Sequence, residues 1–156
     1  MKGNARLIAT MNDLLADELT AVNQYMVHSE MCANWGYDRL HKKIEHRAIE
    51  EMKHAEKLIA RIIFLEGLPK VDKLNKIHIG ATVPAQFASD LKAEAAAVAA
   101  YNKAVHLASD SGDTTSRAML EQIAGDEDRH IDWLEEQLDQ IKQMGVELYL
   151  SAQTAE

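Results

Sequence analysis

The chain has 156 residues, of which 47% are hydrophobic and 27% charged, and its formal net charge is −8. A chain of this length fits one domain and can bury a substantial core. The acidic balance repels nucleic acid phosphates and anionic lipids, whereas it concentrates cations near the surface. Composition therefore argues against a nucleic acid or membrane partner and favours metal ions.

Cysteine usage narrows the class further, because the single Cys32 excludes an internal disulfide and a Cys-x-x-Cys metal knuckle. Polar residues near the N-terminus interrupt any signal sequence, and no apolar run approaches the roughly 20 residues of a membrane span. Only 2 prolines and 7 glycines are present, which favours long helices over strands. We therefore predict an all-α, cytoplasmic protein.

The first half of the chain carries two helical patterns. Apolar residues at three- and four-residue spacing predict a first helix over residues 5–34, which Trp35 and Gly36 interrupt. A second pattern runs from about residue 39 to 66. It stops at Gly67, which is predicted to form the C-terminal cap.

A long connection and a third helix follow. Residues 68–81 have mixed polarity and no helical period, so they are interpreted as one continuous connection. Thr82 is predicted to cap the third helix, with Pro84 in its first turn. This helix is expected to reach about Asp110.

The fourth helix is predicted from about residue 115 to 144, where Gly145 ends it before a short amphipathic tail over residues 146–152. Short first and third turns with one long middle connection give two antiparallel hairpins joined by a crossover. The predicted architecture is a four-helix bundle with a long crossover between helices 2 and 3 and a short C-terminal fifth helix.

Two Glu-x-x-His pairs lie on predicted helices, Glu51 with His54 in the second and Glu127 with His130 in the fourth. Spacing of three residues places both side chains of a pair on one helix face. One such pair is weak evidence, because glutamate is common in this chain.

The arrangement around the pairs strengthens the signal. Glu18 precedes Glu51 by 33 residues, and Glu94 precedes Glu127 by the same 33 residues. Apolar residues flank these glutamates at helical spacing, so the glutamates lie on buried stripes. Each hairpin therefore carries one Glu and one Glu-x-x-His, which indicates two equivalent half-sites.

Buried carboxylates need compensation, since an isolated ionised group in a bundle interior is strongly destabilising. Two divalent metal ions would neutralise four carboxylates. With two imidazoles added, this oxygen-rich set suits iron or manganese better than structural zinc, which prefers fewer and softer ligands. The sequence thus predicts a two-metal carboxylate site.

The sequence resembles the bacterioferritin family along nearly its whole length. The matching segments are Met1-Lys2-Gly3, Asn23-Gln24-Tyr25, residues 50–55, residues 64–69 and residues 130–135. The resemblance implies one ferritin-like di-iron domain over residues 1–156. It also implies a homo-oligomeric shell of 24 subunits, built from dimers, that stores ferric mineral.

The resemblance also assigns roles to the six candidate ligands. They would form a ferroxidase centre that binds two iron ions per subunit and oxidises Fe²⁺ with O₂ or H₂O₂, with Glu51 and Glu127 bridging the two irons. The assigned residues are Glu18, Glu51, His54, Glu94, Glu127 and His130.

Met52 lies about 100° around the helix from Glu51, so it faces away from this site. The resemblance implies that Met52 is an axial ligand of a haem b shared between two subunits, with Leu19, Asn23 and Met26 lining the pocket. The alternative is a methionine that fills a gap in a subunit interface.

Two further sets follow from the resemblance. His46 and Glu50 correspond to an inner-surface iron site. Residues of an iron-entry pore correspond to Asn34, Glu66, Asp132 and Asp139. For both sets the alternative is an ordinary solvated surface.

Two positions depart from residues found in the family: Leu58 stands where some bacterioferritins carry a tyrosine, and Arg47 stands where an acid is common. Tyr25 and Trp133 remain candidate electron donors to the site. Tyr101 follows Glu94 by seven residues, as Tyr25 follows Glu18, and the resemblance assigns it no role.

Other functions stay open at this stage. A haem-free bacterial ferritin or a di-iron peroxidase or oxygenase would use the same ligands. A haem electron carrier or a structural bundle would leave the six ligands unexplained. A small ferredoxin as the partner for iron release is implied by the resemblance alone.

Overall fold

The computed structural model describes residues 1–154 and contains five helices and no strand within them. The helices are α1 (Ala5–Asn34), α2 (Asp38–Phe64), α3 (Val83–Asp110), α4 (Thr114–Met144) and α5 (Val146–Ser151). The prediction of an all-α bundle with a short fifth helix is confirmed. The predicted domain extends to residue 156, and its last two residues lie outside the described ones. In the described part of the chain, none of the helices has the length and apolar character to cross a membrane.

Side-chain caps explain where three of the helices begin. The Asn4 side chain accepts a hydrogen bond from the Leu7 amide, and the Asp113 side chain accepts one from the Ser116 amide. Thr82 caps α3 as predicted, because its hydroxyl accepts from the Ala85 amide. Each cap satisfies a donor that the first turn of a helix leaves free.

The predicted end of the second helix is wrong in detail. Helix α2 ends at Phe64, and the residue with a left-handed backbone is Glu66, with φ of 62°. Gly67 does take part in the cap, because its amide donates to the Ile62 carbonyl at 2.9 Å. A Cβ there would lie 2.7 Å from Ile8 Cγ2 and 3.0 Å from Ile62 Cγ2. Glycine is required for this close approach of the chain to α1 and α2.

Helices α1 and α2 form one antiparallel hairpin, α3 and α4 form the other, and α1 packs on α3. The crossover between α2 and α3 lies against α1, where its backbone amides donate to side chains of that helix. Lys70, Asn75, His78 and Gly80 donate to Asn12, Thr20, Gln24 and His28 respectively. The long connection is therefore held along α1.

Two apolar clusters fill the bundle. One includes Leu7, Leu58 and Leu120, and the other includes Phe87 and Leu134. The candidate ligands lie in the bundle interior with these clusters. A site in this position is shielded from bulk water, which strengthens electrostatic interactions within it.

Candidate metal centre

The structure brings all six predicted ligands together in the bundle interior. Each is at most 7% exposed. They form two groups whose ligand atoms lie within 4.8 Å of one another: Glu18, Glu51, His54 and Glu127, and Glu51, Glu94, Glu127 and His130. Each group provides three carboxylates and one imidazole, a donor set suited to iron or manganese.

Glu51 and Glu127 belong to both groups, as residues that bridge two metal ions would. Their Oε1 atoms are buried and accept no hydrogen bond of good geometry among the described residues, although His54 Nδ1 lies 3.0 Å from Glu127 Oε1 and His130 Nδ1 lies 3.1 Å from Glu51 Oε1. A buried carboxylate oxygen without a partner is strongly unfavourable, and a bound cation removes that penalty. The residues present therefore fit two divalent metal ions.

Each imidazole has one ring nitrogen facing the centre, and its other ring nitrogen contacts a carboxylate outside the centre. His54 Nδ1 lies 3.1 Å from Glu51 Oε2 and 3.0 Å from Glu127 Oε1, whereas its Nε2 lies 2.9 Å from Asp126 Oδ2. His130 repeats this arrangement, with Nδ1 facing the centre and Nε2 2.9 Å from Glu50 Oε2. Such outer carboxylates orient a metal-binding imidazole and raise its basicity.

The two hairpins contribute equivalent residues at a constant offset of 76 positions. Glu18 and Glu94, Glu51 and Glu127, His54 and His130, and Glu50 and Asp126 are all related in this way. The centre therefore has approximate two-fold symmetry within one chain, in agreement with the two half-sites predicted from the sequence.

Tyr25 and Tyr101 follow the same symmetry, and each of them bonds to a glutamate of the other hairpin. Tyr25 donates a hydrogen bond to Glu94, and Tyr101 donates one to Glu18. Burial raises the pKa of both phenols well above their usual value, so both remain donors. Tyr101, to which the resemblance assigned no role, thus has the structural position that Tyr25 has in the other half.

Replacing Tyr101 by phenylalanine removes the donor to a buried carboxylate. We expect the free energy of unfolding of the metal-free protein to fall by about 2 kcal/mol, within the range for leaving a buried acceptor without its donor. Denaturant unfolding monitored by circular dichroism measures it. The control is Tyr37→Phe, since Tyr37 is half-buried and outside the centre. Equal stability of the two variants would contradict the assigned bond.

Burial raises the pKa values of the buried carboxyl groups, whereas hydrogen bonds from the imidazoles lower them. Burial raises the pKa of Glu18 well above its usual value, and it raises the pKa of Glu94 to about 7. Burial acts in the same direction on Glu51, but hydrogen bonds from His130 and His54 outweigh it, and the pKa of Glu51 falls to about 2. The terminal and shared carboxylates are thus electrostatically distinct.

The imidazoles are basic in the metal-free centre. Burial lowers the pKa of His130, but hydrogen bonds to Glu127 and Glu51 outweigh it and raise the value to about 11. Contacts with the same kind of carboxylate partners raise the pKa of His54 as well. Protons on these imidazoles occupy the positions that cations would take, so metal binding must release them.

Arg47 adds a positive charge that was not counted in the predicted charge balance of the site. Its side chain is buried and pairs with Glu94. Four carboxylates and two divalent ions would be neutral without it, whereas the guanidinium adds one positive charge. The predicted balance of four carboxylates against two divalent ions therefore left out this charge, as it left out the outer carboxylates of Asp126 and Glu50.

The residues that the resemblance assigned to a haem pocket, an iron-entry pore and an inner-surface site lie at or near the surface of the chain. Met52 is 42% exposed and Met26 is 49% exposed, whereas Leu19 and Asn23 are half-buried. The pore candidates Asn34, Glu66, Asp132 and Asp139 are all exposed. His46 Nδ1 lies 3.6 Å from Glu50 Oε2, so these two side chains are neighbours.

Asp126 was missed as a partner of His54, and Glu50 was placed only in an inner-surface site. Each residue directly precedes a shared glutamate, Glu127 or Glu51, and each contacts the histidine of the opposite hairpin. Glu50 and Asp126 are related by the 76-residue offset, and this relation in the sequence could have identified both as partners of the histidines. It is visible only when both hairpins are aligned on their glutamates.

The fold and the buried donor set define a ferritin-like protein. The sequence profile of the family described as "Ferritin-like domain" matches residues 8–144. Bacterioferritin from Brucella melitensis is 43% identical over 96% of this chain and 92% of its own length. Bacterioferritin from Mycolicibacterium paratuberculosis is 40% identical over 96% and 94%, and a bacterial ferritin from Pseudomonas aeruginosa is 41% identical over 98% and 99%. The chain belongs to the bacterioferritin family.

Proposed function

We propose that this protein stores iron and oxidises Fe²⁺ at the intrasubunit centre. The observation that carries the proposal is the pair of overlapping donor groups that share Glu51 and Glu127. The relatives named bacterioferritin and bacterial ferritin support iron storage as the outcome. The whole chain would act as one di-iron domain in a 24-subunit shell built from dimers.

The residues divide into two subsites for Fe²⁺, which is the substrate. Glu18 and His54 hold one ion, Glu94 and His130 hold the other, and the shared glutamates bridge them. Each Fe²⁺ loses one electron to O₂ or H₂O₂. The carboxylates stabilise the higher charge of Fe³⁺, which favours oxidation at this centre over oxidation in water.

A cavity of about 470 Å³ offers access to the centre between α1, α3 and the crossover. Glu18, Glu94 and Glu127 line its inner part, and Asp17 and His78 are also among its lining residues. We assign this cavity as the route by which Fe²⁺ and the oxidant reach the ligands. On the other side, His46 and Glu50 form a path from His130 toward the exposed surface, through which iron or electrons would pass to the mineral.

The outer face of α1 and α2 fits a haem shared between subunits. Met52 exposes its thioether, and Ile49, Met26 and Val27 are each more than 40% exposed on the same two helices. A contiguous apolar patch formed by these side chains would mark an interface or ligand site. Met52 of each of two subunits would hold the iron of haem b through its sulfur. The haem would supply a one-electron redox centre for iron release, with a small ferredoxin as its electron donor.

Gel filtration of the natively purified protein tests the proposal. We expect a particle near 24 times the 17.4 kDa chain, with iron and haem absorbance on the same peak. A large iron-containing particle without haem would instead indicate a haem-free ferritin. A dimer that retains no iron after Fe²⁺ loading in air would refute the storage function.

A di-iron oxygenase or peroxidase is the second candidate. The cavity beside Glu18 and Glu94 falls within the size range of small-molecule sites, roughly 300 to 1,000 Å³. Oxidation stoichiometry separates the two functions. A storage protein retains the Fe³⁺ it produces as a core, whereas an oxygenase or peroxidase would turn over a reducing substrate without accumulating iron.

A further inference from the structure

The approximate symmetry of the two halves is broken at several buried positions, and at one of them the side chain pairs with a candidate ligand. Arg47 on α2 corresponds, at the 76-residue offset, to Ile123 on α4. Both side chains are buried, with Arg47 3% exposed and Ile123 fully enclosed. One half of the centre therefore contains a guanidinium where the other half has a hydrocarbon.

The Arg47 guanidinium is held against the Glu94 half. It pairs with Glu94 Oε1, and its carbon lies 5.2 Å from the centre of the Tyr25 ring and 6.0 Å from that of Trp133. Its Nε has no hydrogen-bond partner among residues 1–154. Aromatic contacts and one ion pair stabilise this charge, but its hydrogen bonding is incomplete.

The two terminal glutamates differ in which oxygen is available. In one half, Tyr101 holds Glu18 Oε1, and the other oxygen, Oε2, lies 3.7 Å from His54 Nδ1. In the other half, Glu94 Oε1 lies 3.6 Å from His130 Nδ1, and the same oxygen accepts from both Tyr25 and Arg47. The Glu94 oxygen that lies near His130 is thus already bonded to a cationic donor.

We propose that Arg47 makes the two metal subsites unequal. The subsite of Glu18 and His54 binds a divalent ion first and more tightly. The subsite of Glu94 and His130 fills only when the ion displaces the guanidinium from Glu94. This inference rests on the proposed two-metal site and assigns Arg47 as a positioning residue that sets the order of filling.

Electrostatics sets the direction and scale of the effect. A dication at Glu94 meets a like charge a few ångströms away and loses one of the oxygens directed at it. We expect the second ion to bind roughly 10- to 100-fold more weakly than the first. Glu50, one turn further along α2 and partly exposed, offers the displaced guanidinium an alternative carboxylate.

Titration of the metal-free full-length protein with Co²⁺, monitored by visible absorption without oxygen, tests the proposal. The wild type is expected to show two steps of unequal affinity. Arg47→Gln removes the charge and should strengthen the second step by roughly tenfold or more. Arg47→Lys keeps the charge and should preserve two unequal steps. Arg61→Gln is the matched control, because Arg61 is also on α2 but pairs with Asp113.

A second measurement assigns the order without any variant. Crystals of the wild type soaked with one equivalent of Co²⁺ should show anomalous density mainly between Glu18 and His54. Equal density at both subsites, or two equal steps in the titration, would overturn the role of Arg47 while leaving the two-metal site intact. Failure of the wild type to bind Co²⁺ at these ligands would refute the proposed site itself.

Discussion

Glu127→Gln is expected to abolish rapid Fe²⁺ oxidation, with the initial rate falling on the order of 100-fold or more. Glu127 belongs to both donor groups, so an amide at this position weakens both subsites at once. It also removes one of the four negative charges that compensate the metal ions. Stopped-flow absorbance of ferric product after mixing with Fe²⁺ in air measures the rate.

The matched control is Glu121→Gln on the same helix. Glu121 is exposed and pairs with Arg117, far from the buried ligands, so its replacement should leave the oxidation rate unchanged. Circular dichroism should show that both variants keep their helical content. A wild-type rate in folded Glu127→Gln would mean that oxidation takes place elsewhere on the protein.

Met52→Leu is expected to eliminate haem binding. Leucine keeps the apolar contacts of the side chain but has no sulfur donor, so haem iron would lose its axial ligand from each subunit. After reconstitution with haem, we expect the absorption band to fall at least roughly tenfold relative to protein, which corresponds to about 1.4 kcal/mol or more of lost affinity. The absorption spectrum of the gel-filtered particle gives the result.

Met144→Leu provides the control for this variant, because Met144 has the same 42% exposure and lies at the end of α4. It should bind haem as the wild type does. A spectrum for Met52→Leu identical to that of the control would exclude Met52 as the ligand. If the wild type itself takes up no haem, the exposed face of α1 and α2 serves protein contacts alone.

The helices were predictable because their signals are local. The predicted first helix, residues 5–34, agrees with α1, and the predicted cap at Thr82 is present. Apolar periodicity and capping residues act over one or two turns, so they can be read directly from neighbouring positions. The cap at Gly67 was predictable in the same way, since its amide donates to the Ile62 carbonyl, but the close approach of Gly67 to the distant Ile8 was not.

The six candidate ligands were also accessible from the sequence. Their regular spacing on helices that form two similar hairpins makes their convergence a consequence of the bundle topology. The crossed tyrosine contacts were not accessible, although the equal spacing of Tyr25 and Tyr101 was visible. Each hydroxyl reaches a glutamate of the other hairpin, and this depends on the relative height of α1 and α3.

The sequence by itself therefore determined the fold class, the family and the set of buried acids and imidazoles in two similar halves. Only the tertiary structure decided which ligand the Arg47 guanidinium contacts. Helical spacing from Ile44, Glu51 and His54 places Arg47 on the buried face of α2. It does not show that the guanidinium reaches Glu94, which is 47 residues away on a helix of the other hairpin. The reason is physical: an ion pair between distant segments depends on helix packing and register, whereas helical periodicity depends only on neighbours along the chain.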